Sequence, residues 1–171
     1  MITLFEAAAS RRLKVRPQET TATLTPSSGV ATLPSDYLGY RRVTWTGQPR
    51  TELSYVAPSF FQWEYPTQPS GTPSIFTIEG SSLRLMPQSD TALEFDYFQR
   101  TPALSSALNW LYTNHPDAYL FGTLAEANAF MKDADKAGLW KARRDEVFEE
   151  IKLLDFNERQ GLSMRVMGIT P

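Results

Sequence analysis

The chain has 171 residues, a formal net charge of −2, no cysteine and one histidine, His115. The missing cysteines exclude disulfides and thiolate chemistry, and a single histidine excludes a two-histidine metal site within one chain. The near-neutral charge gives no bulk attraction for nucleic acid. No run of about 20 apolar residues is available for a membrane span, and Glu6 inside the first apolar segment, with the basic residues after it, is the wrong order for a signal peptide. The length fits one domain.

Ile2 to Leu13 reads as a short amphipathic helix, with Ile2, Phe5, Ala9 and Leu13 along one face. Arg11, Arg12, Lys14 and Arg16 follow as a basic cluster. Such a cluster complements a helix C-terminus, or meets an acidic surface or nucleic-acid phosphates. From Glu19 the period changes to two. Thr20 to Thr25 is a strand, Pro26-Ser27-Ser28-Gly29 a turn, and Val30 to Leu33 the returning strand of a hairpin. Leu38 to Trp45 and Glu52 to Val56 are the next strands. Pro58 opens a helical turn at Ser59. Pro66 to Pro73 is a loop. Strands Ser74–Ile78, Ser82–Met86 and Ala92–Phe98 follow, with Ile75, Leu83, Leu85, Leu93, Phe95 and Tyr97 facing inward. The seven strands predict a mostly antiparallel meander that closes into a small sandwich or barrel, or packs on the helices.

Helical spacing returns after Leu104. Ser105 or Ser106 caps a short helix through Trp110 and Leu111. The central helix runs from Asn114 to Lys132, with Asn114 or His115 as cap and Pro116 in its first turn. Leu120, Leu124, Ala127 and Met131 recur on one face, and Ala118, Gly122, Ala125 and Ala129 allow close approach of another helix or subunit. Asp133-Ala134-Asp135 breaks this helix and caps the last one, Asp135 to Leu154. Trp140, Val147, Ile151 and Leu154 make its apolar face, interrupted by Arg144, and Asp145, Glu146, Glu149 and Glu150 its acidic flank. Beyond Asn157 periodicity is lost, and Leu162, Met164, Val166, Met167 and Ile169 make an apolar tail that needs a surface to cover it.

The expected fold class is therefore α+β: a helical core of N- and C-terminal helices with an inserted, mostly antiparallel β domain. Residues 1–16 give the first helix, 17–101 the β insertion, 102–156 the rest of the helical core and 157–171 the extended tail.

Little here points to catalysis, and no cofactor or metal is expected. His115 stands before a proline at a helix start, a capping or surface position. Glu94 and Asp96 alternate on one strand face, where a carboxylate pair is either an acid/base site or the wet side of a half-buried strand with threonine or arginine partners. Asp133 and Asp135 lack the spacing of a calcium loop. The aromatic run Phe60, Phe61, Trp63 and Tyr65, with Tyr55, is either a plug for the β core or an exposed platform. As a platform it would stack on sugars or anchor a protein interface.

The order of several segments resembles the adaptor, or head-to-tail connector, proteins of tailed bacteriophages. They are Ala31-Thr-Leu-Pro-Ser-Asp-Tyr-Leu38 with Arg41, Arg42 and Val43; Ser70-Gly-Thr-Pro73; Phe76 to Gly80; Leu83-Arg-Leu-Met-Pro87; Phe95-Asp-Tyr97 leading to Pro102 and Leu104; Asn109-Trp-Leu111; and His115-Pro-Asp-Ala-Tyr-Leu120 with Leu124 and Glu126-Ala127. The likeness covers most of the chain; the short first helix departs from the longer lead-in of many relatives. It implies a non-enzymatic virion protein at the neck: a ring of twelve copies beneath the portal protein that extends the DNA channel without sequence-specific binding and gives the tail or a tail-completion protein its docking surface. It further implies helices that pack on neighbouring copies and a C-terminal tail, here Leu162 to Ile169, that grips the portal. The acidic flank Asp145, Glu146, Glu149 and Glu150 is then a candidate channel lining that repels phosphate, or else a solvated helix face. Phe60, Phe61, Trp63 and Tyr65 are a candidate β-region interface. The alternative, from a different class, is a small β-rich carbohydrate-binding module using Tyr55, Trp63 and Tyr65.

Overall fold

In a computed structural model, which describes residues 1–64, 67 and 69–160, the chain divides into two compact units. Residues 1–17 and the chain from Thr101 onward form a helical unit, and Gln18–Arg100 form a β unit. The expected α+β class, with a β insertion in a helical core, is what the chain adopts. The tail residues Leu162, Met164, Val166, Met167 and Ile169, and Tyr65, lie outside the described residues, while residues 157–160, expected to begin the tail, are helical.

The β unit holds β1 (Glu19–Leu24), β2 (Val30–Thr32), β3 (Tyr37–Trp45), β4 (Thr51–Glu52), β5 (Ser54–Tyr55), α2 (Pro58–Glu64), β6 (Ile75–Glu79), β7 (Ser82–Met86) and β8 (Leu93–Gln99). Two four-stranded sheets form, in the orders β1-β8-β3-β4 and β2-β7-β6-β5. Neither is closed, and residues of both share one buried cluster that includes Leu24, Val43, Phe76, Leu83, Leu85, Leu93 and Phe95. The arrangement is a sandwich rather than a barrel, and not the expected meander. β1 and β2 do not pair as a hairpin: β1 pairs with β8, β2 with β7, and β5 runs parallel to β6. The physical reason sits at Pro26, which has no backbone N–H to continue a ladder. The tight turn still forms behind it. Ser28 and Gly29 have φ of 50° and 73°, and Ser27 and Val30 exchange hydrogen bonds of 2.8 and 3.0 Å. Two successive positive φ values are the pattern of a type I′ turn. The fourth expected strand is split at the buried Leu53 into β4 and β5, one in each sheet.

β8 obeys its sequence alternation. Leu93, Phe95 and Tyr97 point into the core, while Glu94 and Asp96 stay part-exposed on the other face. In β6 the core residue is Phe76 rather than the expected Ile75, which is only half-buried.

The helical unit consists of α1 (Ile2–Arg12), α3 (Trp110–Asn114), α4 (Pro116–Phe130) and α5 (Ala134–Gln160). Phe5, Leu13, Leu111, Tyr119, Phe148 and Ile151 lead its core. Pro116 occupies the first turn of α4, and the Asp133 side chain accepts a hydrogen bond from the Lys136 N–H at the start of α5. α3 is capped by Asn109, not by the expected serines; its side chain accepts from the Tyr112 N–H at 2.9 Å. α5 continues six residues past the expected end at Leu154, which is exposed. Arg144, expected to interrupt the apolar face of α5, is part of it. Its guanidinium lies 5.8 Å from the centre of the Phe148 ring and bonds Asp145.

The largest correction concerns α4. Its buried face is Ala118, Tyr119, Gly122, Ala125 and Asn128. The recurring stripe Leu120, Leu124, Ala127 and Met131 is not that face: Leu124 and Ala127 are half-buried, and Leu120 and Met131 are 54% and 66% exposed. Side-chain size explains the reversal. A β-carbon on Gly122 would fall 2.0 Å from Phe5 Cδ2, so only the small-residue face of α4 lets α1 approach this closely.

Candidate functional site

No cluster of chemically reactive groups organises either unit among the described residues; the features with functional content are surfaces. The acidic flank of α5 separates into two parts. Asp145 is tied down within the unit: it accepts from Arg12 and, at 2.9 Å, from the Nε of Arg144. Partial burial pushes its carboxyl upward, but the hydrogen bonds from the two arginines outweigh this and hold it below the usual aspartate range. Glu146, Glu149 and Glu150 are exposed beside Ala142 and Leu153. Arg143 bonds Glu146 at 3.2 Å and Lys152 bonds Glu149 at 2.8 Å, along the same helix. Exposed pairs of this kind contribute little to stability, so the carboxylates remain available as a field.

The basic cluster after α1 is largely spent inside the helical unit. Arg12 reaches Asp145, the Arg16 N–H donates to Asp155 at 2.8 Å, and the Arg16 guanidinium bonds Glu158 at 2.6 Å. Arg11 and Lys14 are exposed on the other side.

The aromatic run splits as well. Phe61 is 3% exposed and so belongs to the β unit's interior, whereas Phe60 and Trp63, with ring centres 5.9 Å apart on α2, are 47% and 75% exposed. Tyr55 is partly exposed and stacks on Tyr40. The alternation of buried and exposed positions on one helical turn is what a seven-residue helix lying on a core produces.

The carboxylate pair on β8 has the partners of a wet strand face. Asp96 accepts from Thr21 at 2.6 Å and pairs with Arg42 at 2.8 Å; Glu94 pairs with Arg50. Glu19, Arg41 and Glu52 complete this open, charged concavity. His115 precedes α4 without a side-chain capping bond, its ring edge-on to Trp110.

One polar network has no counterpart in the sequence reading. Glu6, 7% exposed, accepts from the Leu104 N–H at 2.7 Å and from the Tyr119 hydroxyl at 3.1 Å. Asn109 donates to Tyr119 and to the Pro102 carbonyl, both at 2.7 Å. Burial and then the Glu6 carboxylate push the Tyr119 hydroxyl up to about 12, even though the Asn109 bond acts the other way. The network joins α1, the 102–109 loop and α4, and it is structural. The only sequence signal for it was a carboxylate inside an apolar helix face.

These features belong to an α+β protein with a helical unit and a β sandwich. The chain belongs to the SU10 adaptor protein family, whose model matches residues 1–167. This is a bacteriophage adaptor family, in accord with the resemblance carried by the motifs from Ala31 to Ala127. No curated protein matches the chain.

Proposed function

We propose that the protein is a head-to-tail adaptor that assembles as a twelve-copy ring beneath the portal protein in the virion neck, extends the DNA channel and offers the tail, or a tail-completion protein, its docking surface. The observation that carries this reading is the family match over residues 1–167. The outward apolar residues of α4 support it, because a helix that packs on α1, α3 and α5 and still exposes Leu120, Phe130 and Met131 suits an assembling subunit. Within this reading Glu146, Glu149 and Glu150 face the channel. Their like charge repels DNA phosphate and lets the genome pass without being held. Asp145, spent on Arg12 and Arg144, holds the helix in place instead.

Phe60 and Trp63 serve as the β unit's contact with the tail side, anchored from beneath by Phe61. Leu162, Met164, Val166, Met167 and Ile169 grip the portal. Deletion of residues 161–171 tests this part: co-sedimentation with the portal protein falls while the circular dichroism spectrum and melting temperature stay unchanged. Undiminished co-sedimentation of the truncated chain would remove the tail from the docking role.

The exposure of Trp63 favours one second reading, a carbohydrate-binding platform. Saturable binding on a glycan array that is lost with Trp63→Ala would establish it, and an array without a saturable hit would dispose of it.

A further inference from the structure

The outward faces of α1 and α4 fit one another, and they lie on opposite flanks of the helical unit. Phe5 of α1 packs directly against Gly122 of α4. At 100° per residue, Leu4, Ala7 and Arg11 stand opposite the inward face of α1, and all three are exposed. By the same geometry Leu120, Leu124 and Ala127 stand opposite the inward face of α4. The two stripes therefore point away from each other across the α1–α4 contact. A surface on one flank that fits a surface on the other makes a heterologous contact, which propagates and closes into a ring when the rotation allows.

The chemistry of the two stripes is complementary. The α4 stripe is uncharged from Leu120 to Met131, with Leu120 and Met131 exposed, Leu124 and Ala127 half-buried, and Asp117 exposed at its N-terminal end. The α1 stripe is apolar, with Leu4 followed by Ala7 and Ala8, and Arg11 and Lys14 stand exposed at its C-terminal end. Laid antiparallel at about 1.5 Å per residue, Arg11 meets Asp117, Ala8 meets Leu120 and Leu4 meets Leu124. Apolar residues meet along the seam, Ala8 leaving room for Leu120 and Leu4 packing on Leu124; the charges at the rim are opposite, and the helix dipoles oppose. The same-face alternative, α4 against α4, leaves Arg11 and Lys14 without a role.

We infer that the α4 stripe of one copy binds the α1 stripe of the next copy of this chain, head to tail. The inference rests on the ring reading above and names the faces that build the ring. It leaves the acidic flank of α5 uncovered.

Because the chain has no cysteine, introduced thiols report the contact without background. The full-length protein carrying Leu4→Cys and Leu124→Cys together is treated with a short bis-maleimide, alone and with the portal protein. Each single variant is treated in parallel, and assembly is followed by analytical ultracentrifugation and negative-stain microscopy. The double variant gives a ladder of covalent multimers and each single variant stays monomeric on a denaturing gel. A covalent dimer from Leu124→Cys alone would show a two-fold contact and overturn the inference. Rings or oligomers without a ladder would also overturn it while leaving the ring reading intact. Absence of any oligomer, alone or on the portal, would fail the ring reading and the inference with it.

Discussion

At the scale of single residues, Gly122 sets how closely the helical unit packs, and two tyrosines, one in each unit, tie stability to pH. Gly122 is the point of closest approach between α1 and α4, where any side chain collides with the Phe5 ring. Gly122→Leu forces the helices apart in a packed core. It should cost about 1–3 kcal/mol or more, visible as a lower urea midpoint with an unchanged slope. Tyr119 and Tyr97 are the second case. Burial first, and then the carboxylate of Glu6 or Asp36 at the hydroxyl, push both up to about 12. A raised tyrosine favours the folded state while it is neutral. Its contribution is complete below the ordinary value of about 10 and is lost as pH rises through about 12. Burial also raises Tyr37, so absorbance at 295 nm should show Tyr37, Tyr97 and Tyr119 titrating later than the rest, the last two together with base unfolding; ionisation of all seven tyrosines near 10 in the folded chain would contradict this.

At the scale of elements, most of the pattern was legible in the sequence. β8 announced itself through Leu93, Phe95 and Tyr97 alternating with Glu94 and Asp96, and the wet side of that strand found the threonine and arginine partners its position implied. Pro116 and Asp133 marked the starts of α4 and α5. What failed did so for identifiable reasons. Period alone cannot say which of two apolar faces a helix buries, and in α4 the requirement for close approach at Gly122 overrode the larger hydrophobic gain of burying Leu120 and Met131. Strand order was not legible either, because Pro26 diverts the chain between sheets after β1 and β1 pairs with β8 far along the chain, from Leu24 with Leu93 to Glu19 with Phe98. Asn109 was overlooked as a cap because two serines upstream compete for the same signature. It caps α3 and bridges Pro102 to Tyr119. Asn109→Ala should therefore cost about 1–3 kcal/mol, more than an isolated cap, measurable by thermal melting.

At the scale of the whole molecule, the chain leaves the helical unit once and returns once. The β unit begins and ends on neighbouring strands, since Glu19 pairs with Phe98. An insertion whose ends lie side by side and whose core is its own can fold by itself. A fragment comprising residues 18–100 should give a single cooperative melt and a β-type circular dichroism spectrum. A non-cooperative or molten fragment would show that the helical unit is needed to complete it.

The family membership of residues 1–167 supports the proposed adaptor role. The measurement that tests this most directly is electron cryo-microscopy of the full-length protein mixed with the portal protein from the same source. A ring of added density, stacked on the portal with matching symmetry and with α5 turned toward the channel, is the predicted result. A well-folded protein that leaves the portal bare would contradict the adaptor reading.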